Sequence, residues 1–305
     1  MTPLDCIGNT RLLALRNIVP DGSATILLKL EFENPTGSMK DRMALAMVEG
    51  AERDGRLRPG GAVVEYTGGS TGVSLAFVCA TKRIPLKIVT SIAASAEKRT
   101  HMTALGAELT LVEAPGGVTT KEMILEMIAT ARRLSEAPGS YWTDQFNNRD
   151  QVGAYAKMAD EIWEQTSGRV SAFVQSVGTG GSLRGTSTRL RERNTNIRVI
   201  AVEPEESAVL SGKPNGSHRI EGTGAGFVVP HWDPSLANAI ETVSSADAMA
   251  MARRLAREEG IFAGTSTGAN VTVAIREATR LGHGATVVTV ACDSGMKYLS
   301  TEQYR

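Results

Sequence analysis

Lys40 stands in Asn34-Pro35-Thr36-Gly37-Ser38-Met39-Lys40-Asp41-Arg42, where a turn gives way to an amphipathic stretch. A lysine at a helix start is opposed by the macrodipole, and burial lowers its pKa further, as an imine-forming amine requires. Gly178-Thr179-Gly180-Gly181-Ser182 follows a β-branched run and opens an amphipathic one. Backbone N–H groups unhindered by side chains, at the positive end of a helix, make such a turn an anion cradle suited to a phosphate. Thr67-Gly68-Gly69-Ser70-Thr71-Gly72 is a second strand-to-helix turn, dense in N–H and hydroxyl donors and suited to a carboxylate. Gly264-Thr265-Ser266-Thr267-Gly268-Ala269 likewise places hydroxyls before a helix.

Taken singly, the lysine has the bland counterpart of a solvated side chain and the glycine turns that of tight connections. Together, a phosphate cradle, a carboxylate cradle and a lysine are what an amino-acid-binding pyridoxal phosphate enzyme needs. Nucleotide chemistry fails on spacing: GxGxxG would need glycine where Leu183 stands, and no GxxxxGK[ST] occurs. Cys6, Cys79 and Cys292 form no CxxC pair, and Cys79 lies in the apolar run 75–80 as a buried, inert thiol. His101, His218, His231 and His283 show no ligand spacing, so no metal is expected.

The elements that must position these residues alternate in type. Strands are expected over 24–31, 62–66, 86–90, 108–112, 170–177, 197–202 and 285–291. Helices are expected over 39–53 (Ser38 as N-cap, Gly55 past the end), 71–81, 96–105, 119–134, 183–193, 246–259 and 267–280, with a helical stretch after Gln145. Repeated βα units imply mostly parallel sheets with helices on both faces, in two lobes. The segment 211–234 lacks periodicity and reads as a long excursion near function.

The 305 residues, with 42% hydrophobic and 22% charged, are ordinary for a globular protein. Lys+Arg and Asp+Glu both number 33, which argues against nucleic-acid or anionic-membrane partners. The amino terminus has no basic stretch before an apolar run, and no run of about 18 apolar residues occurs, so a cytoplasmic location is expected.

The chain resembles the cysteine synthase (O-acetylserine sulfhydrylase) and cystathionine β-synthase family, fold type II of the pyridoxal-phosphate enzymes. Ile7-Gly8-Asn9-Thr10, Asn34-Pro35, Ser38-Met39-Lys40, Gln145-Phe146-Asn147, Gly178 to Ser182, Val202-Glu203-Pro204, Gly222 to Phe227, Glu259 to Gly264 and Tyr298-Leu299-Ser300-Thr301 carry the likeness. The resemblance implies a two-lobed α/β fold like the tryptophan synthase β subunit. A smaller, mobile lobe over 35–145 would carry Lys40 and the carboxylate loop. A larger lobe of 1–34 and 146–305 would carry the phosphate loop.

By the same likeness, Lys40 would bear the cofactor as an imine and remove the Cα proton. Gly178, Thr179, Gly180, Gly181 and Ser182 would hold the phosphate, Ser70 would face the cofactor's 3′-oxygen, and Ser266 its pyridine nitrogen. Thr67, Gly68, Thr71 and Gln145 would bind the substrate carboxylate, and Gly222 to Phe227 would form part of a closing wall. His218 is read as a structural or surface residue.

A neutral hydroxyl at the ring nitrogen favours loss of a β-leaving group to aminoacrylate, then addition of a nucleophile. The implied reaction is β-replacement on an activated serine, O-acetylserine or O-phosphoserine, with sulfide giving cysteine. Cystathionine formation, diaminopropionate formation, cysteine desulfhydration and a catalytically weakened regulatory homologue are the alternatives. A homodimer is implied; a serine acetyltransferase partner is possible but not indicated.

Two positions depart from the family's Thr-Ser-Gly-Asn-Thr-Gly loop: Gly68 replaces serine and Ser70 replaces asparagine. Either O-phosphoserine is favoured, with Arg219 pairing its phosphate, or Gly68 merely widens the cleft and Arg219 points to solvent.

Overall fold

The computed structural model describes residues 1–114 and 121–304. The first part of the chain runs β1 (Leu12–Ala14), β2 (Thr25–Lys29), α1 (Lys40–Asp54), β3 (Ala62–Tyr66), α2 (Ser70–Lys82), β4 (Leu86–Ser91), α3 (Ala96–Ala104), β5 (Glu108–Val112), α4 (Lys121–Ser135) and β6 (Ser140–Trp142). It continues through α5 (Asp150–Gln165), β7 (Ala172–Ser176), α6 (Gly181–Arg193), β8 (Arg198–Pro204), β9 (Ala239–Val243), α7 (Ser245–Arg254), α8 (Thr265–Leu281) and β10 (Thr286–Val290).

Two sheets result: a 4-stranded one ordered β5-β4-β3-β6 and a 6-stranded one ordered β1-β2-β10-β7-β8-β9. All pairings are parallel except β1 with β2. The central strand β7 is buried at every position, the pattern of a strand covered on both faces. Each β-strand that ends at a helix start delivers a loop to its carboxyl edge, where an open α/β sheet binds ligands. The candidate loops after β3 and β7 are two such connections.

Among the described residues, strands and helices fall where the apolar periodicity places them, with three differences. The short strands β1, β6 and β9 were not expected. The first two have three residues each, and β9 is only partly buried until Val243, so neither apolar run nor alternation marks them. The helix expected over 246–259 is α-helical only to Arg254; Leu255–Glu259 widens to a π turn and ends at Gly260 with φ +70°. The expected start of α4 at 119 lies outside the described residues. Ser38 is not the N-cap of α1, which is Met39, but its Oγ still accepts from Lys40 N–H at 3.2 Å.

Helix α1 is pinned by a buried ionic cluster. Arg42 donates to both oxygens of Glu31 (2.7 and 2.8 Å) and both of Glu161 (2.7 and 2.8 Å). Lys29 Nζ adds an ion pair of 2.7 Å to Glu161. Since Lys29, Glu31 and Arg42 are buried, each charge depends on the others to offset its lost hydration.

Candidate active site

Every residue flanking Lys40 is fixed. Met39 N–H donates to Cys292 O (2.9 Å), and Tyr155 O–H donates to Met39 O (3.2 Å). Asp41 accepts from Thr36 N–H (2.8 Å) and Oγ1–H (2.5 Å). Lys40 itself is half-buried, and its ammonium has no hydrogen bond or ion pair among the described residues. Burial lowers its pKa, opposed by the nearby Cys292 and Asp293. A desolvated amine held by its neighbours yet free at its tip is a nucleophile or base in waiting.

The helices that begin at the other candidate loops share a feature. Their N-caps, Gly69 for α2, Gly180 for α6 and Gly264 for α8, supply no side-chain cap. In contrast, α3 and α7, which carry no candidate residue, are capped by Ser95 and Ser244. First-turn N–H groups left without a side-chain acceptor are available to an anion. Gly180 is held at φ +84°, and a Cβ on Gly181 would stand 2.2 Å from Gln151 Oε1, so this turn admits glycine alone.

Hydrogen bonds join these loops to the segments that flank Lys40. Gln175 Nε2 reaches both Ser182 Oγ of the phosphate loop (2.9 Å) and Met39 Sδ (3.9 Å). Thr179 donates to Gln151 Oε1 (2.8 Å), and Gln151 Nε2 donates to Gln145 O (2.5 Å). Ser70 donates to Asp293 Oδ2 (3.0 Å), as does Tyr298 (2.6 Å). Cys292 N–H donates to Thr267 Oγ1 (3.0 Å) in the first turn of α8. Asn270 Nδ2 donates to Cys292 Sγ (3.3 Å), and burial, opposed by nearby Lys40, Ser266 and Asn270, pushes the thiol up to about 11, so Ser266 has a neutral neighbour.

Hydroxyl directions divide the carboxylate loop. Thr71 donates to Gln145 Oε1 (2.9 Å), which commits its proton. Thr67 Oγ1 instead accepts from Gly69 N–H (3.1 Å), which leaves its proton free to donate. A Cβ on Gly68, Gly69 or Gly222 would meet nothing within 4 Å, so the space beside the loop is open. Gly222, at φ +80°, lies against Gly178, whose added Cβ would stand 2.3 Å from Gly222 O. Glu221 N–H donates to Thr265 Oγ1 (3.1 Å), and Lys98 of α3 pairs with Glu221. His218 braces this segment, donating from Nε2 to Gly224 O (3.0 Å) while Nδ1 accepts from Ile220 N–H (3.3 Å).

The structure thus brings together Lys40, Ser70, Thr71, Gln145, Thr179, Ser182, Gly222 and Ser266 through shared partners. Arg219 is different: it is exposed and paired with Glu302, so it points to solvent. Sequence reasoning missed Glu65, which accepts from Thr143 Oγ1 (2.6 Å), Gln145 N (2.9 Å), Tyr66 N (2.8 Å) and Trp142 Nε1 (3.3 Å). Burial, opposed by these bonds, pushes its carboxyl up to about 7. The signal was an acidic residue inside the apolar strand Ala62-Val63-Val64-Glu65-Tyr66. Gln151, Gln175 and Asp293 were also missed.

The chain belongs to the pyridoxal-phosphate dependent enzymes, whose family matches residues 4–293. Within that class it is similar to a cysteine synthase of Staphylococcus aureus, 43% identical over 300 residues, with 98% of this chain and 95% of the relative covered. A solved cysteine synthase from Entamoeba histolytica superposes with a TM-score of 0.92 at 37% identity, covering 99% of this chain and 90% of that one. An O-acetylserine dependent cystathionine β-synthase from Helicobacter pylori gives 0.92 at 34%, covering 100% and 99%. The two-lobed α/β architecture with mostly parallel sheets is therefore that of fold type II.

The residues present fit the cofactor. Lys40 offers an amine with no hydrogen-bond or ion-pair partner among the described residues, the α6 N-cap Gly180 brings no side chain, with only Gly181 N–H making a long bond to Thr179 Oγ1 (3.4 Å), and open space adjoins Gly68, Gly69 and Gly222.

Proposed function

We propose that the protein is a cysteine synthase that replaces the β-substituent of O-acetylserine by sulfide. The observation that carries the reading is the unpartnered, desolvated Lys40 amine among the uncapped N-termini of α2, α6 and α8. Bound there, pyridoxal phosphate supplies an electron sink for charge developing at the substrate Cα. Lys40 would hold the cofactor through its amine, and that amine, when free, would be the base that takes the Cα proton. Burial, which lowers its pKa, favours the unprotonated amine that step needs.

Gly178 to Ser182, with the α6 N–H groups, would hold the cofactor phosphate. The substrate carboxylate lies against the first turn of α2, with Thr67 donating and Gln145 held in place by Thr71 and Glu65. Ser266, whose hydroxyl and Cys292 neighbour are both neutral, would offer the ring nitrogen no proton donor of aspartate strength. That environment favours departure of the β-substituent over long-lived charge at Cα.

Residues 35–145 act as the lobe that closes over substrate, with Gly222 to Phe227 as the facing wall. Family likeness supports a homodimer in the cytoplasm; among the described residues no helix is long and apolar enough to cross a membrane. Arg219, paired with Glu302, supplies no anchor for a substrate phosphate, which favours O-acetylserine over O-phosphoserine. Steady-state kcat/KM with sulfide and each donor tests the reading. Cysteine should form from O-acetylserine with higher kcat/KM than from O-phosphoserine, and failure to form cysteine from either would refute it.

A further inference from the structure

The hydroxyls of the phosphate loop differ in where their protons go. Gln151 Nε2 donates to two carbonyls, Gln145 O (2.5 Å) and Asn148 O (2.9 Å), so its Oε1 must be the acceptor facing Thr179. The Thr179 hydroxyl therefore spends its proton on Gln151 at 2.8 Å and can offer an anion only lone pairs. Ser182, the second residue of α6, has the opposite arrangement. Gln175 Nε2 donates to Ser182 Oγ at 2.9 Å, and the same nitrogen faces Met39 Sδ at 3.9 Å. A sulfur beside the amide favours the N–H end there, because the carbonyl end would set two acceptors against each other. Ser182 Oγ, having accepted, keeps its proton to donate.

Gln175 lies in the fully buried strand β7, is 1% exposed, and leaves its own Oε1 buried without a partner. An unsatisfied buried oxygen is a standing cost, of the kind that persists where a site needs a group in one orientation.

We infer that Gln175 is a positioning residue that turns the Ser182 hydroxyl outward as a hydrogen-bond donor to the cofactor phosphate. The inference rests on the reading that Gly178 to Ser182 holds that phosphate. Gln175 does not touch the anion; it acts by occupying one Ser182 lone pair and fixing the direction of its O–H. A charge-assisted hydrogen bond to a phosphate oxygen is thereby added to the backbone N–H groups of the α6 first turn.

Three variants separate the possibilities, read as the dissociation constant of pyridoxal phosphate from the holoenzyme and as the phosphorus-31 shift of the bound phosphate. Ser182→Ala tests the underlying reading and should weaken cofactor binding by about tenfold or more. Gln175→Met keeps the volume but not the donor, and should weaken it by about tenfold, with a changed phosphorus shift. Gln175→Glu keeps the bond but reverses it: the carboxylate accepts from Ser182, whose lone pair then faces the phosphate. It should bind more weakly than the Met variant. In a Ser182→Ala background neither Gln175 substitution should change the affinity by more than about twofold, since nothing remains to orient.

If Ser182→Ala binds as tightly as the unaltered enzyme, the phosphate-loop reading falls. The inference alone is overturned by Gln175 variants that match the unaltered enzyme while Ser182→Ala is weakened, or by equal losses in both Ser182 backgrounds. Urea unfolding of each holoenzyme variant identifies losses that are only of stability.

Discussion

Ser70 and Tyr298 hydroxyls converge on one oxygen of Asp293, at 3.0 and 2.6 Å, so the start of α2 is tied to the segment that also holds Met39. Asp293 is buried, and its other oxygen has no hydrogen-bond partner, which makes these two donors matter.

Ser70→Ala should therefore destabilise the protein by about 1–3 kcal/mol, the range for a buried acceptor losing a donor. Tyr298→Phe should cost a similar amount, and the double variant more than the sum, because the second loss leaves that oxygen bare. Urea unfolding of the three variants checks this. Strict additivity, or no loss in either single variant, would show that Asp293 is satisfied otherwise.

The cluster around Arg42 sets the acid limit of stability. Burial raises the Glu161 carboxyl, but hydrogen bonds and charge from Arg42, with Lys29, bring it down to about 2. A carboxylate with a depressed folded pKa contributes stability that is fully present above its ordinary value of 4.5 and is lost as pH falls toward about 2. Arg42→Met should cost roughly 3–5 kcal/mol at neutral pH, since it strands buried carboxylates. The gap from the unaltered protein should narrow between about pH 4.5 and 2. A gap that stayed constant across that window, in unfolding measured against pH, would contradict the assignment.

Glycines in the two candidate anion loops should respond in opposite ways. A Cβ at Gly68 meets nothing within 4 Å, so Gly68→Ser should fold normally and change kinetics for the carboxylate-bearing substrate. A Cβ at Gly181 would stand 2.2 Å from Gln151 Oε1, displacing the residue that holds Thr179 and Gln145. Gly181→Ala should lose about 1–3 kcal/mol of stability through overpacking and weaken cofactor retention. Thermal unfolding and retained cofactor in both variants decide the matter.

Much of the candidate site was legible because glycines after β-branched runs announce exposed backbone donors at helix starts. Lys40, Gly178 to Ser182 and Thr67 to Gly72 could be found that way. Proton direction could not, because it depends on partners far along the chain: Thr71 bonds a residue 74 positions away and Ser70 one 223 away. The same limit hid Gln175, whose role appears only when β7 is laid beside Ser182 and Met39. Strands β1, β6 and β9 were invisible because pairing, not local pattern, orders such short segments.

The visible absorption spectrum of purified Lys40→Ala tests the central claim most directly. The account predicts a folded protein without the absorbance of lysine-linked cofactor and without measurable cysteine formation. Among the described residues the Lys40 amine makes no ion pair or hydrogen bond, so its removal costs folding none of these. A variant that kept both the spectrum and the turnover of the unaltered enzyme would contradict the assignment of Lys40 and, with it, the site built around it.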